Sequence, residues 1–306
     1  LLVGGLFTGT SIHAQVFTHS DTLQYTGSMQ TYTVPDCAEN VVITTYGAQG
    51  AAGSVLVPDI NEGGKAGLGN RVTGVYPELT GGETIYVFVG GSANGEIGGY
   101  NGGGNGIATN NEHPSGGGGG ATDIRYPSAD ASDRMQVAGG GGGGGNAAYH
   151  WNGSVFTGGN GGDGGGSGNS LNGGNGENVV GESGNIFPGG FGGTSTEPGA
   201  GAVGCNGFLG QAGGENTGAV GGIGGLGSSL SSGNYRAHGG AGGGGYVGGN
   251  GGGGGSAGEP DCVSNNISAG GGGSAGTNYF MGEPTNFENG VRSGHGLVVI
   301  EYTIHQ

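Results

Sequence analysis

Basic residues are scarce: six Lys and Arg face 22 Asp and Glu over 306 positions, a formal net charge of −16. A chain so poor in cations cannot neutralise a phosphate backbone, which makes nucleic acid a poor partner. Leu, Val, Ile and Phe make up only about 18 per cent of the chain, close to the ~20 per cent level that goes with disorder. Charged residues are equally few, at 9 per cent, so the self-repulsion that completes the disorder signature is missing. After the opening residues no apolar run approaches the ~18–20 positions that span a bilayer, so no transmembrane segment is expected. Nine prolines, with no sustained Gly-X-Y period, exclude collagen. Three cysteines, Cys37, Cys205 and Cys262, fit an exported chain with one disulfide and one leftover thiol. Cys205–Cys262 is the favoured pair, because both lie in the glycine-rich part, and sequence leaves the connectivity open.

What the chain has instead is glycine, 90 residues or about 29 per cent against a usual ~7 per cent. Glycine in a helix interior costs roughly 0.5–1 kcal/mol relative to alanine, so runs such as 139–145 and 251–255 exclude long helices, and with them bundles, Rossmann domains and TIM barrels. An all-β chain is the expectation. Residues 1–14 read as the remnant of a secretory signal cleaved after Ala14, the alternative being a buried N-terminal strand. Residues 15–138 carry the strand signals, short β-branched and aromatic runs at Gln30–Val34, Asn40–Tyr46, Asn70–Val75, Glu83–Val89, Thr122–Tyr126 and Arg134–Val137. Residues 139–290 are glycine-rich with almost no strand signal. Residues 291–306 close the chain with one strong strand, His295–Ile304, which must pair back onto the N-terminal strands because it cannot stand alone. The glycine region is thus an insertion within one β domain.

The insertion has a phase. Every third residue from Thr157 gives Asn160, Asp163, Gly166, Asn169, Asn172 and Asn175, with Gly or Ser at nearly all positions between; a second stretch spaces Val220, Ile223 and Leu226 by Gly-Gly pairs. A period of three is that of polyproline-II geometry, which has no internal hydrogen bonds and leaves two bare glycine ridges for backbone pairing with neighbours. The expectation is a laterally bonded bundle of polyglycine-II helices rather than a flexible linker. Its Asn160/Asn169/Asn172/Asn175 ridge would face solvent, and its Val220/Ile223/Leu226 ridge would face inward.

Several ordered pieces carry a resemblance: Tyr25–Pro35, Val41–Gly50, Tyr100–Gly104, Gly118–Arg125 with its Ala-Thr-Asp-Ile-Arg, Arg134–Gly141 with its Val-Ala-Gly-Gly-Gly, Gly243–Asn250, and the closing Gly294–Ile300. Together they resemble the glycine-rich domain of bacterial secreted surface proteins, found also in the extracellular region of the anaplastic lymphoma kinase and leukocyte tyrosine kinase receptors. The resemblance implies a jelly-roll-like, tumour-necrosis-factor-like β-sandwich joined to a polyglycine-II bundle, and an extracellular binding or structural role. No cytokine-contact residue of the receptors carries over. Asn146–Ala237 and Cys37 depart most from the family pattern.

Abundant glycine also creates spurious motifs. Gly-Gly-Ser-Ala-Gly at Ser256 and at Ser274 matches the nucleophile elbow without a strand before it or a helix after it. Glycine patterns of the dinucleotide type have no βαβ context. Two β-roll-like Ca²⁺ pieces, at Gly158–Asp163 and Gly173–Val180, are 15 residues apart instead of nine. The acidity leaves room for an exposed structural Ca²⁺ on carboxylates such as Asp59 or Glu62, but no spacing selects one. His113, His150, His238 and His295 are dispersed and read as structural or surface residues. Asp123 and Arg125, two apart on a strand, share a face and read as a salt bridge. Trp151, with Tyr149 and His150, reads as a core cap before a sugar platform. No cofactor and no enzyme activity is expected. The chain reads as a secreted, adhesin-like or structural surface module that binds an extracellular protein or glycan. Ice binding on a flat polyglycine-II face is the alternative.

Overall fold

A computed structural model describes residues 16–54, 63–108, 114–149, 155–164, 179–180, 186–187, 191, 199–200, 212, 214–215, 219–225, 238–255, 269–281 and 286–305. Nearly all regular structure in these is β, with a single 3₁₀ turn at Ala131–Asp133. The strands are β1 (Val16–Gln24), β2 (Gln30–Thr33), β3 (Glu39–Tyr46), β4 (Gly69–Tyr76), β5 (Thr84–Phe88), β6 (Thr122–Arg125), β7 (Arg134–Ala138), β8 (Ala148–Tyr149), β9 (Val155–Phe156), β10 (Val179–Val180), β11 (Ile186–Phe187), β12 (Tyr279–Phe280), β13 (Asn286–Arg292) and β14 (Leu297–His305). Two five-stranded antiparallel sheets run β1-β14-β3-β4-β13 and β12-β7-β6-β5-β2; β8–β9 and β10–β11 form short ribbons. The closing strand β14 lies between β1 and β3, so both ends of the described chain share one sheet.

Alternation builds the core. Val41 and Ile43 of β3, Tyr76 of β4, Ile85 and Val87 of β5, Ile124 of β6, Met135 of β7 and Val298 and Ile300 of β14 are buried in one cluster drawn from both sheets. Each fully buried side chain of this size contributes about 1.5–3 kcal/mol. The sheets therefore face each other like the layers of a sandwich. One polar residue joins them: the Gln136 amide donates to Ile43 O, Thr45 Oγ1 and Val72 O at 3.2, 2.8 and 3.0 Å, and its Oε1 accepts from Tyr76 Oη at 2.7 Å. Burial, and then the Glu78 charge, push the Tyr76 phenol well above its usual range.

Beyond the strands the chain changes its bonding rule. Residues 139–147 continue directly from β7. All nine of their N–H groups are partnered, and the partner rotates with a period of three. Gly140, Gly143 and Asn146 donate to Gly244, Ala241 and His238; Gly141, Gly144 and Ala147 donate to Ala48, Ala51 and Ser54; Gly142 and Gly145 donate to Gly162 and Gly159. Gly139 N–H goes to Asn278 Oδ1. The carbonyls repeat the pattern toward three further segments: Gly67 and Gly64 donate to Gly142 and Gly145, Gly119 and Gly116 to Gly141 and Gly144, and Gly276, Gly273 and Gly270 to Gly140, Gly143 and Asn146. One extended segment thus has six backbone-bonded neighbours. In a strand, residues two apart share a partner and only two neighbours are possible.

The glycines serve close approach, not unusual torsion, because none of residues 139–145 has positive φ. A Cβ on Gly143 would lie 2.0 Å from Gly116 O, and one on Gly144 would lie 2.0 Å from Gly64 O. Lattice segments also occur well before residue 139: 47–54 leaves β3, 63–68 enters β4, and 114–121 enters β6. The expected division of a strand region followed by a glycine insertion is therefore too simple, since the lattice is woven from strand extensions on both sides of that boundary. Strands β12 and part of β13 likewise fall inside the span read as insertion.

One orientation is corrected. Val220 and Ile223 were expected to point inward, but they are 45 and 57 per cent exposed. The glycine N–H groups of segment 219–225 bond through the other two phases, with Gly222 and Gly225 donating to Gly249 and Gly252 and Gly221 and Gly224 donating to Gly102 and Asn105, while Ile223 contributes its carbonyl to Gly214 N–H and leaves its side chain exposed. The 220/223 phase is left as the outward one. Leu226, the third residue of that ridge, lies outside the described residues.

Candidate binding surface

A backbone bonded on all sides has nothing left to offer a partner, so recognition on the lattice falls to the ridge side chains. Among the described residues, one outward apolar area of the lattice joins three segments. Val220 and Ile223 stand on 219–225. Val247 lies beside them, since the adjoining Gly248 packs against the Val220 carbonyl. Tyr246, 44 per cent exposed, stacks on Tyr279 with ring centroids 4.1 Å apart and planes 11° apart. Thr277 fixes this corner: its Oγ1 accepts from Val247 N at 2.9 Å and donates to Val247 O at 3.1 Å. Exposed apolar side chains carried to one corner by bonded backbone segments make a candidate protein-binding surface.

A second lattice face is polar and used internally. Asn160 is exposed, and its Oδ1 accepts from Lys65 N at 2.8 Å; Asp163 Oδ1 accepts from Leu68 N at 2.8 Å. Gly161 and Gly164 donate in return to Lys65 O and Leu68 O. The period-three side chains here replace the carbonyls of a missing neighbour and close an edge of the lattice. Asn169, Asn172 and Asn175, the rest of that ridge, lie outside the described residues.

A third cluster sits where the sheets meet the lattice. Tyr25 stacks on His295 at 4.1 Å and tilts toward Tyr100 at 6.2 Å. His295 Nδ1 accepts from Ser92 N at 3.0 Å, which ties the turn before β14 to the loop after β5. Gln49 holds the same turn, donating N–H to Gly294 O and accepting from Gly294 N at its Oε1.

The remaining motifs resolve into structure. Asp123 is buried and bound by Arg125 Nε at 2.6 Å, by Arg134 Nε at 3.5 Å and by Asn101 Nδ2 at 2.7 Å. The Arg125 guanidinium also lies 3.7 Å over the Phe88 ring. The Asp123–Arg125 pair expected on one strand face is thus present, extended by two residues from other segments. Ser274 Oγ is clasped by the backbone of Asn250, accepting from its N–H at 2.7 Å and donating to its carbonyl at 3.3 Å. That is a bracing role, with Ser274 fully buried. Cys37 is free and exposed, at φ 63° in the turn after Pro35. Among the described residues no three His, Cys, Asp or Glu side chains are placed to share a metal ion, and no helix is long and apolar enough to cross a membrane. Cys205, Cys262, Ser256, His113, His150 and Trp151 lie outside the described residues, as do Asp59, Glu62 and the segment 1–14.

Sequence reasoning missed the Gln136 bridge, whose residue type at a strand centre carried no signal of its own. It also missed the outward turn of Val220 and Ile223, because apolar spacing shows which residues share a ridge without showing which way it faces. No protein-family model and no curated protein matches the chain.

Proposed function

We propose that the protein is a secreted, non-enzymatic surface module. In this reading a polyglycine-II bundle, grafted onto a jelly-roll-like sandwich, is a rigid platform that presents side-chain ridges to an extracellular protein or glycan. The observation that carries the reading is segment 139–147, with every N–H partnered and six neighbours. A linker has no use for such saturation. The glycine-rich domain family suggested by the Ala-Thr-Asp-Ile-Arg and Val-Ala-Gly-Gly-Gly pieces agrees with this assignment. The apolar corner of Val220, Ile223, Tyr246 and Val247 favours a protein partner over a glycan.

The test is a screen of the chain against extracellular proteins and glycans, with Val220→Asp/Ile223→Asp as control. A ligand that binds the parent chain and loses at least tenfold affinity for the double variant, at unchanged melting temperature, supports the reading. A ligand that binds both equally moves the site elsewhere. For ice binding, Asn160, the one described residue of the Asn ridge, has its carbonyl engaged with Lys65 N–H, so no specific observation favours that alternative.

A further inference from the structure

The four sheet edges differ. β2 has four residues and β12 two. β13 is interrupted by a register shift between Glu288 and Arg292. β1 runs nine residues in unbroken register with β14, without proline, lysine or bulge. Val16 and Phe17 on it are 54 and 40 per cent exposed. A long, regular edge without such protection is a template for another strand.

The direction of its free groups follows from alternation. Gly47 N–H donates to Asn70 O, so the odd residues of β3 bond toward β4 and Val42, Thr44 and Tyr46 bond toward β14. The register then turns Phe17, His19, Asp21 and Leu23 toward β14 and leaves the backbone groups of Val16, Thr18, Ser20, Thr22 and Gln24 on the outer edge. Among the described residues, the Gln24 carbonyl, taken by Gln30 Nε2, is the outer group with a partner.

We infer that β1 pairs antiparallel with β1 of a second copy, about a two-fold axis through Ser20, to make one continuous ten-stranded sheet. The occupant is named by the strand's own sequence, Val-Phe-Thr-His-Ser-Asp-Thr-Leu-Gln. Folded on Ser20 it is self-complementary: His19 meets Asp21, Phe17 meets Leu23 and Thr18 meets Thr22, each pair occurring twice. The parity agrees as well. Ser20 and Thr18 with Thr22 form the hydrogen-bonded pairs, Val16 with Gln24 keeps the bond from Gln24 N–H to the Val16 carbonyl because Gln24 O is taken by Gln30 Nε2, and His19–Asp21 and Phe17–Leu23 take the non-hydrogen-bonded pairs whose side chains come closest, with Cα atoms ~4.5 Å apart. Asp21 is positioned for this by Tyr32 Oη, which donates to its Oδ2 at 2.7 Å, and His19 by stacking on Tyr302 at 5.4 Å. Across the seam the two Glu301 carboxylates, each beside a Ser20, stay about three strand spacings apart, roughly 14 Å, beyond the Debye length at physiological salt of ~8 Å. An isologous contact of this kind closes as a dimer and cannot propagate into a fibre.

The test uses the full chain. Sedimentation at tens of micromolar is expected to show a dimer. Ser20→Pro removes an outward N–H that β14 does not use, a position an edge strand tolerates, so it should give a monomer with the parent melting temperature. His19→Glu, placing two carboxylates opposite each other, should raise the dimer dissociation constant at least tenfold. In a Cys37→Ser background, Ser20→Cys should crosslink to itself on mild oxidation, and Gln24→Cys should not. Amide exchange at Thr18, Ser20 and Thr22 should slow as concentration rises. A monomer at these concentrations, or a dimer untouched by both Ser20→Pro and His19→Glu, overturns the proposal. Protection of the Thr18 and Thr22 amides that persists in the monomeric Ser20→Pro variant also overturns it, by placing another segment of the same chain on the edge.

Discussion

The sandwich and the glycine lattice solve the same problem with opposite parts of the residue. Between the sheets, side chains exclude water, and a cluster including Ile43, Ile85, Val87, Ile124 and Ile300 supplies the driving force. Among the described lattice residues the buried apolar side chains are alanines such as Ala147, Ala241, Ala269 and Ala275, and order comes mainly from backbone bonds, with side chains such as Asn160, Asp163, Ser274 and Asn278 completing them. A net hydrogen bond contributes about 0.5–1.5 kcal/mol, while ordering a backbone residue costs about 1–2 kcal/mol. A glycine array with one donor per residue is therefore close to break-even by itself. The lattice depends on complete saturation and on being rooted in the sandwich, where segments 47–54, 63–68, 114–121 and 139–147 continue β3, β4, β6 and β7.

The comparison can be broken at either end. Ile43→Ala, a truncation in the core, should cost about 2–5 kcal/mol and lower the melting of both regions, because the lattice loses its root. Gly143→Ala places a methyl group against Gly116 O and should cost about 1–3 kcal/mol. Its mark is selective: amide protection falls in the lattice while β3 and β14 keep theirs. Tyr76→Phe strips the donor from the buried Gln136 carbonyl and should cost about 1–3 kcal/mol at neutral pH by thermal melting. It also tests a linkage. Tyr76 and Tyr32 are pushed up by burial, Tyr32 also by Asp21. Their stabilisation is complete below the ordinary tyrosine value of ~10 and is lost as pH rises above it, because the unfolded chain then releases protons more readily. The parent chain should therefore lose stability in alkali, and Tyr76→Phe should lose less over the same interval. Asn160→Ala removes an exposed cap on Lys65 N–H and should cost about 0.5 kcal/mol. Ile223→Asp, on an outward ridge, should change melting by no more than about 0.5 kcal/mol.

The strands of the sandwich were largely legible. The runs at Gln30–Val34, Asn40–Tyr46, Asn70–Val75, Glu83–Val89, Thr122–Tyr126 and Arg134–Val137 all fall on strands β2 to β7, because β-branched and aromatic residues alternate there between glycine and proline breaks. Three strands of the two sheets, β1, β12 and β13, carried no such signal, β12 being only two residues long. β1 places Thr, His, Ser and Asp on an edge where burial selects little. β13 contains Asn289-Gly290, a pair that reads as a turn, yet Gly290 at φ 58° lies within the stretch where its register shifts against β4. The period-three ridges were visible as spacing. Their direction was not, since facing depends on which neighbours occupy the other two phases, and those neighbours, such as Gly102 and Gly249 for segment 219–225, are distant in sequence. Tyr246 and Val247, the part of the candidate surface outside the Val220/Ile223 ridge, were visible only as apolar side chains in a glycine background.

Hydrogen–deuterium exchange across residues 139–147 tests the central claim most directly. The account predicts slow exchange at all nine consecutive amides, on the scale of the β3 and β14 amides and without the alternation of an edge strand. Exchange of these glycines at unstructured-chain rates, while β3 and β14 stay protected, would contradict it.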